Sequence, residues 1–303
     1  MALLLPPVAE YGNRAWLGPM RKPADTDRDR EDRNATSGSI FVSGVVGTSW
    51  LLPGPHAVSA RQAREALEAE LASLPDLAAR LTVAMLDRLQ TYVALLLAAN
   101  ERVNLTRVTE PVAIARLHLL DALVALPLLD DLPSVRAIDL GSGGGVPAIP
   151  IAIARPDLSW ILVDSVGKKA LALAGFADDL GLSSVDVIAQ RAEILGRDPR
   201  YREAASVVTA RAVAALPVLA ELALPLLIRG GRLLAWKGPL APGDEELRRG
   251  ARAVTQLGGG PPELVSVDAP QLGGHTFVRV TKEGPTPERY PRRPGEPARR
   301  PLG

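Results

Sequence analysis

The spacing of the hydrophobic residues separates this chain into regions of different secondary structure. Between residues 60 and 100, apolar side chains recur every three to four positions, for example at Leu81, Met85 and Leu89. Residues three and four apart share one face of an α-helix, so this period predicts amphipathic helices. We therefore expect a helical cap over residues 61–135.

Between residues 136 and 282, short runs rich in Val, Ile and Leu alternate with longer stretches of helical period. This alternation is typical of an α/β fold with a doubly wound, mostly parallel sheet. We expect seven strands, with the last one reversed in direction. The predicted strands are 137–140, 160–163, 185–189, 206–209, 232–236, 264–267 and 276–281, and the predicted long helices are 168–180 and 213–228.

Neither end of the chain shows a sustained period. The first 60 residues mix Pro, Gly, Asp and Arg and include the charge cluster Asp25–Arg33, which predicts a disordered extension. A start codon assigned too far upstream would give the same pattern. Residues 283–303 form a basic, Pro-rich tail, which together with Lys282 carries three more basic than acidic side chains. We expect this tail to be mobile and either to hold phosphates by counterion release or simply to be solvated.

A glycine-rich loop follows the first predicted strand. Its glycines at 141, 143 and 145 permit positive φ angles and a close approach of the backbone to a ligand. Asp164 ends the second predicted strand, 23 residues after Gly141, where a carboxylate can accept both ribose hydroxyls of an adenosine. We therefore expect Gly141, Gly143, Gly145 and Asp164 to bind a nucleoside cofactor.

The spacing within the loop distinguishes two cofactors. A dinucleotide-binding loop has the pattern G-x-G-x-x-G/A, but Val146 occupies the sixth position here. S-adenosylmethionine carries no phosphate and needs room for a methionine tail, which fits this loop better. The sequence thus predicts a class I S-adenosylmethionine-dependent methyltransferase fold, Rossmann-like and α/β, preceded by the helical cap.

Residue types that the chain lacks restrict the methyl acceptor. The sequence has no cysteine, so a thiolate that adds to a pyrimidine ring is excluded. The segment after the fourth predicted strand reads Thr209-Ala210-Arg211-Ala212, in place of the Asn/Asp-Pro-Pro-aromatic turn that holds exocyclic amines. A ring nitrogen with a free lone pair, such as guanine N7, needs neither device and requires only alignment with the methyl group.

Several short motifs occur in one order along residues 80–303. They are Asn104-Leu105-Thr106, His118-Leu119-Leu120-Asp121, the loop at 138–145, Pro150, Arg155-Pro156, the segment 163–169, Arg211-Ala212, Trp236-Lys237-Gly238 and the tail segment 290–295. This ordered set resembles the ribosomal RNA small subunit methyltransferase G family. The resemblance implies transfer of a methyl group from S-adenosylmethionine to N7 of a guanine in 16S ribosomal RNA.

The resemblance also implies which residues contact the cofactor. They are Gly141 and Val146 in the loop, Ala192 and Glu193 after the third strand, and Arg211 after the fourth. Arg211 lies where open α/β sheets bind ligands, and it could equally reach a phosphate or stack on guanine.

Arg211 and Lys237 are the candidate catalytic residues. Both follow predicted strands, and Lys237 could instead be a solvated strand end. Guanine N7 has no proton to lose, so no general base is expected. We expect the two side chains to position the reactants and to offset phosphate or cofactor carboxylate charge.

Five residues are candidate RNA contacts, namely Asn104, His118, Asp121, Arg292 and Arg293. His118 and Asp121 are three apart and share a helical face, so an orienting hydrogen bond is an alternative role for them. The 3 histidines show no metal-ligand spacing, and we expect no metal site.

Composition changes this picture little. The net charge is +1, and 30 arginines against 5 lysines, with abundant Ala, Gly and Pro, indicate a GC-rich genome rather than nucleic-acid binding.

The apolar helix 213–228 contains Pro217, Glu221 and Pro225, so we expect it in a core and not in a membrane. Leu3–Leu5 is too short for a signal peptide. We expect a cytoplasmic monomer whose partner is 16S ribosomal RNA or the small ribosomal subunit.

Other classes of function remain open from sequence alone. A methyltransferase acting on small molecules or proteins would share the cofactor loop and differ only in its acceptor groove. A nonenzymatic cofactor sensor would be expected to have lost Asp164 or Arg211, and both are present. An NAD-dependent enzyme is disfavoured by Val146 and by the absence of a Tyr-x-x-x-Lys pattern.

Overall fold

The computed structural model describes residues 55–132 and 136–303. Helices precede the sheet, as the spacing predicted, and the Thr82 hydroxyl begins the longest of them by accepting a hydrogen bond from Met85 N at 3.2 Å. Its predicted apolar face is confirmed, because Leu89, Val93 and Leu96 are buried. The elements are α1 (Pro55–Leu71), α2 (Pro75–Ala78), α3 (Val83–Asn100), α4 (Pro111–Ile114), a π-helical turn (Ala115–Leu120), α5 (Asp121–Leu123) and a 3-10 turn (Leu126–Leu129).

The rest of the chain forms one seven-stranded sheet with the order β3-β2-β1-β4-β5-β7-β6. Only β7 runs against its neighbours, so the predicted mostly parallel sheet with a reversed last strand is confirmed. The elements are β1 (Arg136–Leu140), α6 (Ala148–Ala154), β2 (Ser159–Asp164), α7 (Gly167–Asp179), β3 (Val185–Ala189), α8 (Ala192–Leu195), β4 (Ala205–Arg211), α9 (Leu216–Ala223), a 3-10 turn (Leu224–Leu226), β5 (Leu227–Lys237), α10 (Glu245–Gln256), β6 (Glu263–Ser266), a 3-10 turn (Pro270–Leu272), β7 (Thr276–Thr281) and α11 (Glu296–Arg299).

Both faces of the sheet are covered. Successive side chains of a strand point to opposite faces, so Trp160 and Leu162 of β2 join one buried cluster while Ile161 and Val163 join the other. The cap helices, α6 and α7 pack on the first face, and α9, α10 and part of the C-terminal segment pack on the second. The carboxyl ends of β1 to β5 therefore open between these two layers.

The predicted helix 213–228 is too long. In the structure α9 ends at Ala223, because Pro225 lacks the N–H that a further helical turn requires. The fifth strand then begins at Leu227, five residues before its predicted start at 232. Its pairing with β4 is irregular at Gly230 and Gly231, where Gly230 has a φ of 81°. Because two adjacent glycines are typical of a turn, the first half of this strand was not predicted from the sequence.

The structure differs from two expectations for the ends of the chain. The disorder predicted for residues 1–60 lies outside the described residues, except for 55–60, which form the start of α1 because Ala60 packs in the core. The C-terminal tail was predicted to be mobile, but residues 283–303 pack against the domain, with Tyr290 and Pro297 buried. The tail is held against the domain because Arg292 forms an ion pair with the buried carboxylate of Glu221.

One helical stretch in the described residues, Pro111–Leu129, is long and apolar enough to cross a membrane by length and composition alone. Its mean hydropathy is 1.9, and 61% of the apolar window is buried inside the protein. This stretch, rather than the predicted 213–228, is therefore the longest apolar helical run described. It contains the buried His118 and Asp121.

Candidate functional site

The glycine-rich loop between β1 and α6 has the backbone conformation that the sequence predicts. Gly141, Gly143 and Gly145 have φ angles of 67°, 55° and 95°. Their roles differ, however. A Cβ on Gly145 would lie 2.5 Å from Ile149 Cδ1, so this glycine allows the loop to pack on α6 rather than to approach a ligand. A Cβ on Gly141 would lie 2.9 Å from Val213 Cγ2, whereas the nearest atom to a Cβ on Gly143 would be Gly141 O at 3.7 Å, an ordinary contact distance.

Asp164 at the end of β2 fixes the loop. Its Oδ2 accepts a hydrogen bond from Gly143 N at 2.9 Å, and its Oδ1 accepts one from Val166 N at 2.8 Å. The carboxylate is nearly buried, with 7% of the residue exposed. Each oxygen retains a second lone pair, so Asp164 can also accept hydroxyl donors from a ribose.

A cavity of about 280 Å³ lies at the carboxyl ends of β1 and β2. Gly141, Ala192 and Glu193 line it, so the structure brings three of the predicted cofactor contacts together. Ligands of open α/β sheets bind at this edge. A larger cavity of about 350 Å³ lies between the cap and β6, and its lining includes none of the predicted site residues.

Glu193 is only 4% exposed and is held on two sides. Arg191 Nη2 donates to its Oε1 at 2.9 Å, and the backbone N–H of Gly295 donates to the same oxygen at 2.7 Å. Burial opposes ionisation of Glu193, but these bonds outweigh it and lower the pKa of the carboxyl group. The residue is therefore a fixed carboxylate at the edge of the cavity.

Arg211 ends β4 and is held by three residues of the cap. Its Nη1 donates to Asp121 Oδ2 at 2.6 Å and also to the carbonyl oxygen of Leu117. Its Nη2 lies 3.2 Å from His118 Nδ1. Asp121 and His118 are 2% and 3% exposed, so they lie in the interior and not on a surface where RNA would contact them. This geometry agrees with the alternative role for both, which is to orient another side chain.

The protonation of His118 follows from these contacts. Burial, with a further contribution from the charge of Arg211, lowers the pKa of the imidazole to about 4. A guanidinium has only donors, so the neutral ring accepts at Nδ1 from Arg211 and its Nε2 carries the proton. Nε2 lies 2.8 Å from Thr106 Oγ1, to which it donates. His118 is thus a neutral link between Arg211 and the segment after α3.

Sequence reasoning missed His275, which completes this network. Its Nδ1 lies 2.9 Å from Asp121 Oδ1, so both oxygens of that carboxylate have partners. Trp236 Nε1 donates to the backbone oxygen of Asp121 at 2.8 Å. His275 lies 154 residues from Asp121 in the sequence, and no local pattern could have paired the two.

Asp139 at the end of β1 was also missed as a site residue. It is 1% exposed, and Thr209 Oγ1 donates to its Oδ1 at 2.6 Å. Its Oδ2 is buried without a hydrogen-bond partner among the described residues. Burial raises the pKa of Asp139 to about 6. Its position was a usable signal, because it is the second-last residue of β1, just before the loop, as Asp164 is the last residue of β2.

Lys237 contacts a different part of the structure. Its Nζ donates to Glu246 Oε1 at 2.6 Å and to Ala214 O at 3.0 Å, and its side chain is 13% exposed. The same Glu246 oxygen accepts from Leu216 N at 2.8 Å. Lys237 therefore fixes the connection between β4 and α9 rather than facing the cavity, and the catalytic role predicted for it has no support in this geometry.

The remaining candidates are dispersed. Asn104 is exposed in the loop after α3, and Val146 is half-buried against the core at the end of the glycine-rich loop. Arg293 is exposed, whereas Arg292 is paired with Glu221 and its charge is neutralised. Within residues 55–132 and 136–303, no group of three or more His, Cys, Asp or Glu side chains could hold a metal ion.

Comparisons with known proteins agree with the motifs. A family model described as rRNA small subunit methyltransferase G matches residues 85–271. Proteins named "Ribosomal RNA small subunit methyltransferase G" are similar to this chain over most of their length. The one from Roseiflexus castenholzii is 44% identical over 223 residues, which cover 74% of this chain and 94% of that protein. The one from Deinococcus deserti is 44% identical and the one from Moorella thermoacetica 41%, each match covering 89% of that protein and 72% and 71% of this chain, respectively.

Proposed function

Because this chain belongs to the ribosomal RNA small subunit methyltransferase G family, we propose that it transfers a methyl group from S-adenosylmethionine to N7 of a guanine in 16S ribosomal RNA. The partner is 16S ribosomal RNA or the small ribosomal subunit, and the enzyme acts as a monomer in the cytoplasm. One observation carries the proposal. The glycine-rich loop, two carboxylates and a charge-compensated arginine converge at one edge of the sheet.

The residues at this edge fit S-adenosylmethionine. Asp164 offers lone pairs to the ribose hydroxyls, and Ala192 and Glu193 lie in the cavity for the adenine. The Oδ2 of Asp139 has no hydrogen-bond partner among the described residues, so it could accept from the ammonium group of the cofactor if that group reached it. Gly141 and Gly143 let the backbone approach the methionine portion. When bound, the cofactor supplies an electrophilic methyl group on a sulfonium.

The acceptor chemistry explains why Arg211 is neutralised. The guanine N7 lone pair forms a bond to the methyl carbon while the carbon–sulfur bond breaks, so the guanine gains a positive charge and no proton moves. An unpaired cation beside the acceptor would oppose that charge. The carboxylate of Asp121 compensates Arg211 at 2.6 Å, which leaves the guanidinium able to orient the reactants. The neutral His118 adds no further charge.

The test is incubation of the purified protein with labelled S-adenosylmethionine and unmethylated 16S RNA or small subunits, followed by mapping of the modified nucleosides. We expect one 7-methylguanosine. An Arg211→Lys variant keeps a cation beside Asp121 but loses the planar donor fork, and its rate should fall by about 100-fold. Cofactor binding without any RNA methylation would overturn the RNA acceptor and favour a small-molecule or protein substrate.

A further inference from the structure

The C-terminal segment is held against the cofactor edge of the sheet. We call residues 286–299 the C-terminal clasp. Arg197 Nε donates to Pro291 O at 2.6 Å, and Arg202 Nη1 donates to Tyr290 O at 2.8 Å. Both arginines lie between α8 and β4, so two cations of the domain bind the backbone carbonyls of the clasp.

A buried ion pair strengthens this attachment. Glu221 on α9 is completely buried, and its Oε2 accepts from Arg292 Nη2 at 2.5 Å. Its Oε1 accepts from Arg292 N at 2.8 Å and from Arg292 Nε at 2.9 Å. A buried carboxylate without a partner is strongly unfavourable. The clasp therefore cannot leave α9 without leaving Glu221 unpaired.

The clasp reaches the cofactor cavity in two ways. Pro297 and Ala298 of α11 form part of the cavity wall, together with Gly141 and residues after β3. The backbone N–H of Gly295 also donates to Glu193 Oε1 at 2.7 Å. One segment thus supplies apolar surface to the cavity and fixes the orientation of a carboxylate that lines it.

We propose that the C-terminal clasp is part of the cofactor-binding site, where it closes the adenosine pocket, positions Glu193 and slows dissociation of the cofactor. The inference rests on the proposed function only in that an adenosine-containing cofactor fills this cavity. The physical reason is exclusion of water, because hydrogen bonds and ion contacts in a covered pocket are stronger than in an open one. Arg292 of the tail then acts as an anchor.

The experiment compares two shortened chains with the full chain. A chain that ends at residue 294 lacks Gly295, Pro297 and Ala298 but keeps the Arg292–Glu221 pair. A chain that ends at residue 300 keeps the whole clasp, including the Arg300 carbonyl that accepts from Arg292 at 2.8 Å. Both lack Leu302, which packs on the core, so the loss of that contact is common to them.

The readouts are the dissociation constant of S-adenosylhomocysteine, measured by calorimetry, and its dissociation rate, measured by stopped flow. The chain ending at 294 should bind about tenfold more weakly than the chain ending at 300, mostly through faster dissociation. Affinities of the two chains within about twofold of each other would overturn the proposal, since that difference is under about 0.5 kcal/mol.

A substitution in the full chain tests the same proposal if the shortened chains fail to fold. Ala298→Trp adds bulk to the cavity wall and should weaken S-adenosylhomocysteine binding by about tenfold. The control Arg252→Trp, at an exposed position of α10 that does not line the cavity, should not weaken it. Equal binding of S-adenosylhomocysteine by both variants would contradict the assignment of Ala298 to the wall of the cofactor cavity. No binding by the full chain overturns this proposal and the proposed function together, whereas intact binding without RNA methylation overturns only the acceptor.

Discussion

The ion pair between Asp121 and Arg211 gives the most direct test of how the site is built. The Asp121 carboxylate is 2.6 Å from Arg211 Nη1 and 2.9 Å from His275 Nδ1. Asp121→Asn keeps the shape of the side chain but removes its negative charge. Its single amide oxygen can then face only one of the two partners, and Arg211 remains in a partly buried site without a counter-charge.

The magnitude follows from burial. Removal of one partner of a buried pair costs about 3–5 kcal/mol of unfolding free energy. The Arg211 side chain is 23% exposed and the amide oxygen still accepts a hydrogen bond, so we take about 2–3 kcal/mol. In a domain of this size that corresponds to a fall in Tm of about 4–12 °C. We also expect kcat to fall by about 10- to 100-fold, because the uncompensated cation opposes the charge that methylation places on guanine.

The assays are thermal unfolding followed by circular dichroism, and steady-state methylation of unmethylated 16S RNA. His275→Gln is the matched control, because it removes the other partner of Asp121 and leaves the ion pair intact. Its Tm should change by less than about 3 °C, the effect of losing one partly exposed hydrogen bond. If Asp121→Asn unfolds at the wild-type temperature and keeps the wild-type kcat, the charge-compensation argument is wrong.

Three further predictions concern the loop and the carboxylate beside it. Gly145→Ala should cost about 2–3 kcal/mol of unfolding free energy, because its Cβ would lie 2.5 Å from a core methyl group at a φ of 95°. Gly143→Ala should cost about 1 kcal/mol, because its Cβ would come no closer than 3.7 Å to another atom; equal losses in urea unfolding would contradict this. Tyr92→Phe should cost about 1–3 kcal/mol in the same assay, because its buried hydroxyl donates to a loop carbonyl at 2.8 Å, and no loss would exclude that bond. Burial raises the pKa of Asp139 to about 6, so its contribution to stability is fully present below about pH 4 and is lost as the pH rises through 6. Asp139→Asn should therefore raise Tm relative to wild type at pH 8 and not at pH 4, and it should weaken S-adenosylhomocysteine binding. If the gain in Tm at pH 4 is as large as at pH 8, the pKa of Asp139 is not raised in the folded protein.

The sheet was predictable because its strands are short apolar runs between clear breaks. The bounds of β3 (Val185–Ala189) and β7 (Thr276–Thr281) coincide with the prediction. The start of β5 did not, because a strand that contains two adjacent glycines reads locally as a turn. Pairing with β4 on one side, and Lys282 N donating to Gly231 O at 2.8 Å on the other, holds that segment extended. Tertiary hydrogen bonds thus override the local signal.

The site was only partly predictable. Gly141 and Asp164 were predicted from local patterns, namely a glycine-rich loop and a strand end, whereas Arg211 was predicted from the family resemblance. The partners of Arg211 depend on how the cap folds over the sheet, and spacing alone could not decide between an orienting and an RNA-binding role for His118. Likewise, the charge of Arg292 was visible in the sequence, but its use was not, since it depends on a carboxylate 71 residues away.

The distribution of charge around the cavity gives the two reactants different requirements. Asp139, Asp164 and Glu193 place carboxylates at the edge of the sheet. Arg191 compensates the charge of Glu193, and Asp121 compensates that of Arg211, so Asp139 and Asp164 supply the excess negative charge. Such a site favours S-adenosylmethionine, with its net charge of about +1, over the neutral S-adenosylhomocysteine that remains after transfer. The same carboxylates repel the phosphates of RNA. In the proposed reaction, the RNA acceptor must therefore gain its affinity from surface beyond the cavity.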